Sequence, residues 1–90
     1  MSSNSPSFKR SPNVLFQEIE GQAMLLNIQT ERYYSLDEVG TRIWQILEEG
    51  DLNVLISRLR TEFEVDEAIL RADLEKLFSE LEAAGLVSRN

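Results

Sequence analysis

Ninety residues with 42% hydrophobic side chains suffice for one small domain, near the lower limit for a self-sufficient core. Nine basic against sixteen acidic side chains leave a charge of −7, the wrong sign for binding a nucleic-acid backbone or an anionic membrane. The chain has neither cysteine nor histidine, which excludes disulfides, thiolate or imidazole metal sites and Ser–His nucleophiles. No apolar run reaches bilayer length and the N-terminus lacks the apolar core of a signal peptide, so a cytoplasmic location is expected.

Residues 1–12, MSSNSPSFKRSP, hold both prolines and most of the early serines. This composition predicts a mobile tail, with Lys9 and Arg10 solvated, ahead of a domain over residues 13–89. Asn13–Ile19 reads as a first strand, with Val14 and Phe16 on one face and Leu15, Gln17 and Ile19 on the other. Glu20-Gly21-Gln22 forms a turn. Ala23–Ile28, AMLLNI, is a continuous apolar run that predicts a central strand covered on both sides. After the polar turn Gln29-Thr30-Glu31 comes a third strand, Arg32–Leu36, whose paired tyrosines suit a pleated, half-buried surface. Short connections predict an antiparallel meander in the order 1-2-3, leaving the third strand as an open edge.

Asp37 then caps a helix expected to run to Glu49, with Val39, Ile43, Ile46 and Leu47 as its buried stripe, Trp44 as a packing centre and Gly50 as a left-handed stop. A second helix is predicted from an Asn53 cap to Phe63, turning Leu55, Ile56, Leu59 and Phe63 inward. A third runs from Asp66 to Ala84 and stops at Gly85. Its main stripe is Leu70, Leu74, Leu77, Leu81 and Ala84. At about 100° per residue, Arg71 and Phe78 lie on one shoulder and Ile69, Asp73 and Lys76 on the other. Leu86–Arg89 returns the chain onto the bundle. The whole is an α+β, winged-helix-like arrangement: a three-stranded antiparallel sheet followed by a three-helix bundle.

No catalytic constellation is legible. The carboxylate pairs Asp37/Glu38, Glu48/Glu49 and Glu80/Glu82 read as solvated helix-end charge, because acid–base work needs a pocket that shifts a pKa. Glu18, Glu20, Asp37 and Glu38 match no calcium-loop or phosphate-site spacing, so no metal or other cofactor is expected. A winged-helix DNA reader would carry Lys and Arg along its third helix, which here has six acids, Asp66, Glu67, Asp73, Glu75, Glu80 and Glu82, against Arg71 and Lys76.

The succession YYSLDEVGTRIWQILEEG, LRTEFEVD and ADLEKLFSELEAAGLV resembles the PqqD-like family, the leader-peptide recognition proteins of pathways that modify ribosomally made peptides. The resemblance spans roughly Val14–Val87. Family members often carry Asn where Asp37 stands, and both residues cap helices. The Leu-Asp-x-x-Gly-x-x-Ile-Trp form from Leu36 to Trp44 is most similar to the stand-alone leader-binding proteins of lasso-peptide biosynthesis.

The resemblance implies a non-catalytic adaptor. A precursor leader peptide would add as an extra strand along Arg32, Tyr33, Tyr34, Ser35 and Leu36. It would pack between that strand and the third helix, against Leu70, Asp73, Leu74, Lys76, Leu77 and Phe78. Phe78, on its shoulder, is the helix apolar side chain most expected to touch the ligand. The implied second partner is a leader-removing cysteine protease, with the adaptor a monomer or weak homodimer. An open strand edge can satisfy an extended peptide's backbone while side-chain pockets supply selectivity. The alternatives are a peptide chaperone for another modifying enzyme and a winged-helix regulator.

Overall fold

Local chemistry defines most of the elements. The computed structural model describes residues 5–89, with β1 at Phe8–Arg10, β2 at Val14–Ile19, β3 at Gln22–Asn27, β4 at Arg32–Leu36, α1 at Glu38–Ile46, α2 at Leu52–Glu62, α3 at Glu67–Ala83 and β5 at Val87–Arg89. Glu20 and Gly21 both take positive φ (54° and 81°) and close the β2–β3 hairpin in the sense that matches strand twist. The β3–β4 turn is organised by Asn27, whose Oδ1 accepts from the amides of Gln29 (2.9 Å) and Thr30 (3.2 Å). The meander has the expected order β2-β3-β4, all antiparallel, and β4 is an edge.

Each helix begins at an aspartate whose carboxylate accepts a first-turn amide: Asp37 from Gly40, Asp51 from Val54 and Asp66 from Ala68. Asp51, rather than Asn53, caps α2, so Leu52 joins the core. Helix α1 ends at Ile46, short of Glu49, in a tight turn where Glu49 N donates to Ile46 O (2.9 Å). Gly50 does not take a left-handed conformation. It is small because Val54 is close: a Cβ there would lie 2.6 Å from the Val54 side chain.

The core lies between the helices and one face of the sheet. Leu25, Ile43, Ile46, Leu47, Leu55, Leu59, Leu74, Phe78, Leu81 and Leu86 are almost wholly buried within it, and Trp44 is buried beside them. The other face of β3 is not covered, contrary to the two-sided burial expected for AMLLNI: Met24 is 42% exposed and Leu26 partly so. The apolar run is continuous because one half of it packs and the other half forms an open surface.

The largest departure concerns the N-terminal segment. The expectation of mobility for residues 1–4 lies outside the described residues, but residues 5–12 are an ordered strap. β1 pairs antiparallel with β5, Phe8 opposite Arg89 and Arg10 opposite Val87. The Pro6 carbonyl accepts from Leu52 N (2.8 Å), and Ser11 N donates to Leu86 O (3.0 Å). Phe8 is buried and stacked flat on Phe78, with ring centroids 4.0 Å apart and planes 3° from parallel. Arg10 is not a solvated charge. Its guanidinium donates to the carbonyls of Trp44 (2.6 and 3.1 Å) and Gln45 (2.9 Å), and so caps the C-terminal end of α1, where positive charge is favoured. These partners supply the enthalpy that the composition of the segment does not advertise.

This predicts that Phe8→Ala destabilises the domain by about 3 kcal/mol, the usual cost of removing a buried ring, and that deleting residues 1–12 costs more. Urea unfolding monitored by Trp44 fluorescence measures both. A midpoint unchanged by the deletion would show that the strap is dispensable.

Candidate functional site

The groove follows from how α3 crosses the inner side of β4. Three layers converge there. Leu36 is the last residue of β4, and α1 starts two residues later, which places Val39, Gly40 and Ile43 beneath the strand end. The N-terminal half of α3 lies opposite. Between them is a cavity of about 470 Å³, floored by the buried Leu36, Gly40, Ile43, Leu70 and Leu74. Half-buried Val39 and Leu77 form its shoulders, and exposed Ile69, Asp73 and Lys76 form its rim. A second, shallower cavity of about 410 Å³ continues along β4, between Arg32, Tyr33 and Tyr34 on one side and Ala83 and Ala84 on the other.

Tyr34 and Glu80 border both cavities. The Tyr34 hydroxyl donates to the Glu80 carboxylate, so this pair spans the groove and divides it. That hydrogen bond, then desolvation and the neighbouring Glu80 and Asp37 charges, push the Tyr34 pKa up to about 12. The charged groups lining the deeper cavity are Asp37, Asp73 and Glu80 against Lys76, so its mouth is acidic around an apolar floor.

The edge of β4 faces the groove directly. In an antiparallel ladder, alternate residues of an edge strand direct their N–H and C=O groups away from the sheet, leaving them free for another strand. Pairing with β3 places Arg32, Tyr34 and Leu36 on the helix side of the sheet, and Tyr33 and Ser35 on the opposite side. An extended peptide along this edge would have backbone partners on one side and an apolar trench below alternate side chains.

The sequence profile of coenzyme PQQ synthesis protein D matches residues 22–87, from the start of β3 to the start of β5. The chain belongs to the PqqD family. No characterised protein matched the sequence at a significant level. Among solved structures, TbiB1 in complex with the TbiA(beta) leader peptide superposes with a TM-score of 0.79 at 33% identity, covering 89% of this chain and 94% of that one. The PqqD match takes in both walls of the groove, β4 and α3, and leaves β1 and β2 outside it.

Within this PqqD-family domain the residues singled out from sequence sort clearly. Tyr34, Ser35, Leu36, Leu70, Asp73, Leu74, Lys76 and Leu77 line the deeper cavity, and Arg32 and Tyr33 the shallower one. Phe78 lines neither. It is 1% exposed and turned toward Phe8, so its expected place against a ligand is corrected to a place in the core. The shoulder that faces the groove is the one carrying Ile69, Asp73 and Lys76.

Sequence reasoning missed Asp37, Val39, Gly40, Ile43, Val65, Ile69 and Glu80 as residues of the deeper cavity. Glu80 was within reach of the helical pattern, lying four residues beyond Lys76 and seven beyond Asp73. The carboxylate pairs that might have suggested catalysis are taken up singly. Glu48 holds Arg10 and Glu49 holds Arg58, while Glu80 accepts from Tyr34 and Glu82 pairs with Arg89.

The raised Tyr34 pKa has a definite sign. Folding holds the protonated phenol, so its stabilisation is complete below the unfolded value of 10.0 and is lost as pH rises through about 12. The stability difference between the natural chain and Tyr34→Phe is therefore expected to be flat up to pH 10 and to fall between pH 10 and 12. Urea titrations of both chains across that range test it. A difference that stays constant would mean that the hydroxyl is not held by Glu80.

Proposed function

We propose that this protein binds the leader segment of a ribosomally made precursor peptide by β-strand addition to β4. It acts as a non-catalytic adaptor that presents the leader to a cysteine protease in lasso-peptide biosynthesis. The observation that carries the reading is the open edge of β4 running directly along an apolar groove. It is supported by family membership and by the likeness to a protein solved with a leader peptide bound. The protease and the lasso pathway rest on the resemblance of the Leu36–Trp44 segment to the stand-alone members.

The energetics require the groove as well as the edge. Ordering a disordered leader costs on the order of 2–5 kcal/mol, so backbone pairing by itself leaves little affinity. Apolar anchors entering over Leu36, Leu70, Leu74 and Leu77 contribute roughly 25 cal/mol per Å² that they bury. One or two such side chains offset the ordering cost. Asp73 and Lys76 stand at the exposed rim, where a charge contact contributes about 0–1 kcal/mol. Tyr34 stands between the two cavities and would touch the peptide along its length.

Tyr34→Ala is thus expected to weaken leader binding more than Asp73→Ala, by calorimetry with the TbiA(beta) leader peptide. Amide exchange is expected to slow along Arg32–Leu36 when the peptide is added. Protection elsewhere with none on β4 would sink strand addition. A larger loss from Asp73→Ala would mean that a desolvated charge contact carries recognition.

The charge of −7 yields a further expectation. Raised salt is expected to slow association with a basic leader while changing dissociation little, because steering acts before contact. Stopped-flow rates across a salt series measure it. A salt effect confined to dissociation would contradict long-range steering.

A further inference from the structure

The strap at residues 5–12 joins the two helices whose other sides form the deeper cavity. It holds α1 at its C-terminal end. The Arg10 guanidinium donates to the Trp44 and Gln45 carbonyls and lies 5.5 Å from the centre of the Trp44 ring, and the Arg10 amide donates to Glu48 Oε2 (2.8 Å). It holds α3 by the face that carries Phe78. Phe8 stacks on that ring, and the Arg89 guanidinium lies over Phe8 at 5.2 Å. Hydrogen bonds from Leu52 N to the Pro6 carbonyl and from Ser11 N to the Leu86 carbonyl fix the strap towards its two ends. Neither cavity is lined by a residue of the strap. The residues it holds nevertheless adjoin those that line the deeper one. Trp44 follows Ile43 of the cavity floor, and Phe78 follows Leu77 and stands one turn beyond Leu74.

That position decides what the strap can do. α1 and α3 supply the floor and one wall of the deeper cavity, so the spacing and rotation of these two helices set its width. Neighbours of a deleted core ring relax toward the gap. Filling the space of Phe8 would turn Phe78 toward the strap. A helix turns as one body, so the same movement would draw Leu74 and Leu77 away from their places in the groove. Loss of the Arg10 contacts would free the tie at its α1 end. A groove already held at its working width binds more tightly than one the ligand must shape. The strap lies outside the residues, 22–87, that match the PqqD profile.

We propose that Phe8 and Arg10 are positioning residues for leader binding: the strap ties α1 to α3 and so sets the leader affinity of a groove it does not touch. This rests on the leader-binding reading above. The coupling is reciprocal. The chain with its strap docked binds leader more tightly, and a bound leader holds the strap more firmly in place.

The test is calorimetry of the full chain with the TbiA(beta) leader peptide, at a temperature where thermal melts show each variant folded. Phe8→Ala is expected to weaken binding about tenfold and Arg10→Met about threefold, within the usual range of coupling between separate sites. Phe8→Leu, which refills most of the space, is expected to stay within about threefold of the natural chain. Leu59→Ala is the control for general loosening. Leu59 is buried like Phe8 but sits on α2, outside both cavities, and its variant is expected to bind within about twofold of the natural chain. Natural affinity in folded Phe8→Ala and Arg10→Met overturns the proposal. Should Phe8→Ala not fold, natural affinity in Arg10→Met, whose side chain is only half-buried, overturns it alone. So does an equal loss from Leu59→Ala, because general loosening would then account for both. A natural chain that does not bind the peptide would instead overturn the leader-binding reading.

Discussion

The groove depends on one buried amide. Asn27, at the end of β3, is 3% exposed, and its side chain is fully engaged. Its Nδ2 donates to the carbonyl of Gly85 (2.9 Å) and more weakly to that of Ala84 (3.4 Å), while its Oδ1 organises the turn into β4. Gly85 takes φ +73°, and a Cβ there would lie 2.8 Å from Asn27 Nδ2, so the close approach requires glycine on two counts. The same residue therefore sets where β4 begins and where α3 ends. α3 is held to the sheet at its C-terminal end, with the Tyr34–Glu80 contact one turn further in. Beyond that, toward Leu70, the space between helix and strand is the deeper cavity. A buried, fully bonded polar group of this kind contributes little net stability but specifies one arrangement strongly, since misplacing it strands several polar atoms.

The parts of this architecture that are local in sequence were legible from residue chemistry. β4 runs over Arg32–Leu36 as the aromatic pattern indicated, and the meander order follows from turns too short to permit any other. Asp37 and Asp66 cap where a carboxylate ahead of an apolar-periodic run should cap. The parts that failed share a cause. The strap at residues 5–12 is held by partners 34 or more residues away in most of its contacts, such as Trp44, Leu52, Phe78 and Leu86, and its own composition favours disorder. That single omission also misplaced Phe78. Its angular position on α3 was read correctly as a shoulder, but that shoulder is buried because Phe8 lies on it. With no strap in the reckoning, the ring had only solvent or ligand to meet.

The site residues show the same division. β4 and the leucine stripe of α3 could be named because strand edge and helical period are local properties. Which shoulder of α3 turns to the groove is a rotation about the helix axis, fixed by contacts distant in sequence: Leu81 and Phe78 in the core, β5 beyond, and Phe8 behind. Once Phe8 takes the Phe78 side, Ile69, Asp73 and Lys76 are left facing β4. Glu80 follows on the same side and meets Tyr34. The strap thus acts on the groove without touching it, by deciding the rotational setting of α3.

Adjacent tyrosines make the consequence concrete. Tyr34 and Tyr33 are chemically alike and neighbours in sequence, yet strand alternation sends them to opposite faces. Tyr34 turns inward, half-buried, with its hydroxyl spent on Glu80. Tyr33 turns outward, 69% exposed, in a row with Leu26 and Leu15. A one-residue slip of β4 against β3 would exchange them, turning Tyr33 toward the helices and Tyr34 away. Asn27 prevents that slip, because its position fixes the turn from which β4 is counted. One buried amide therefore sets the opening of the groove and the composition of the opposite face together, so neither surface can change register without the other.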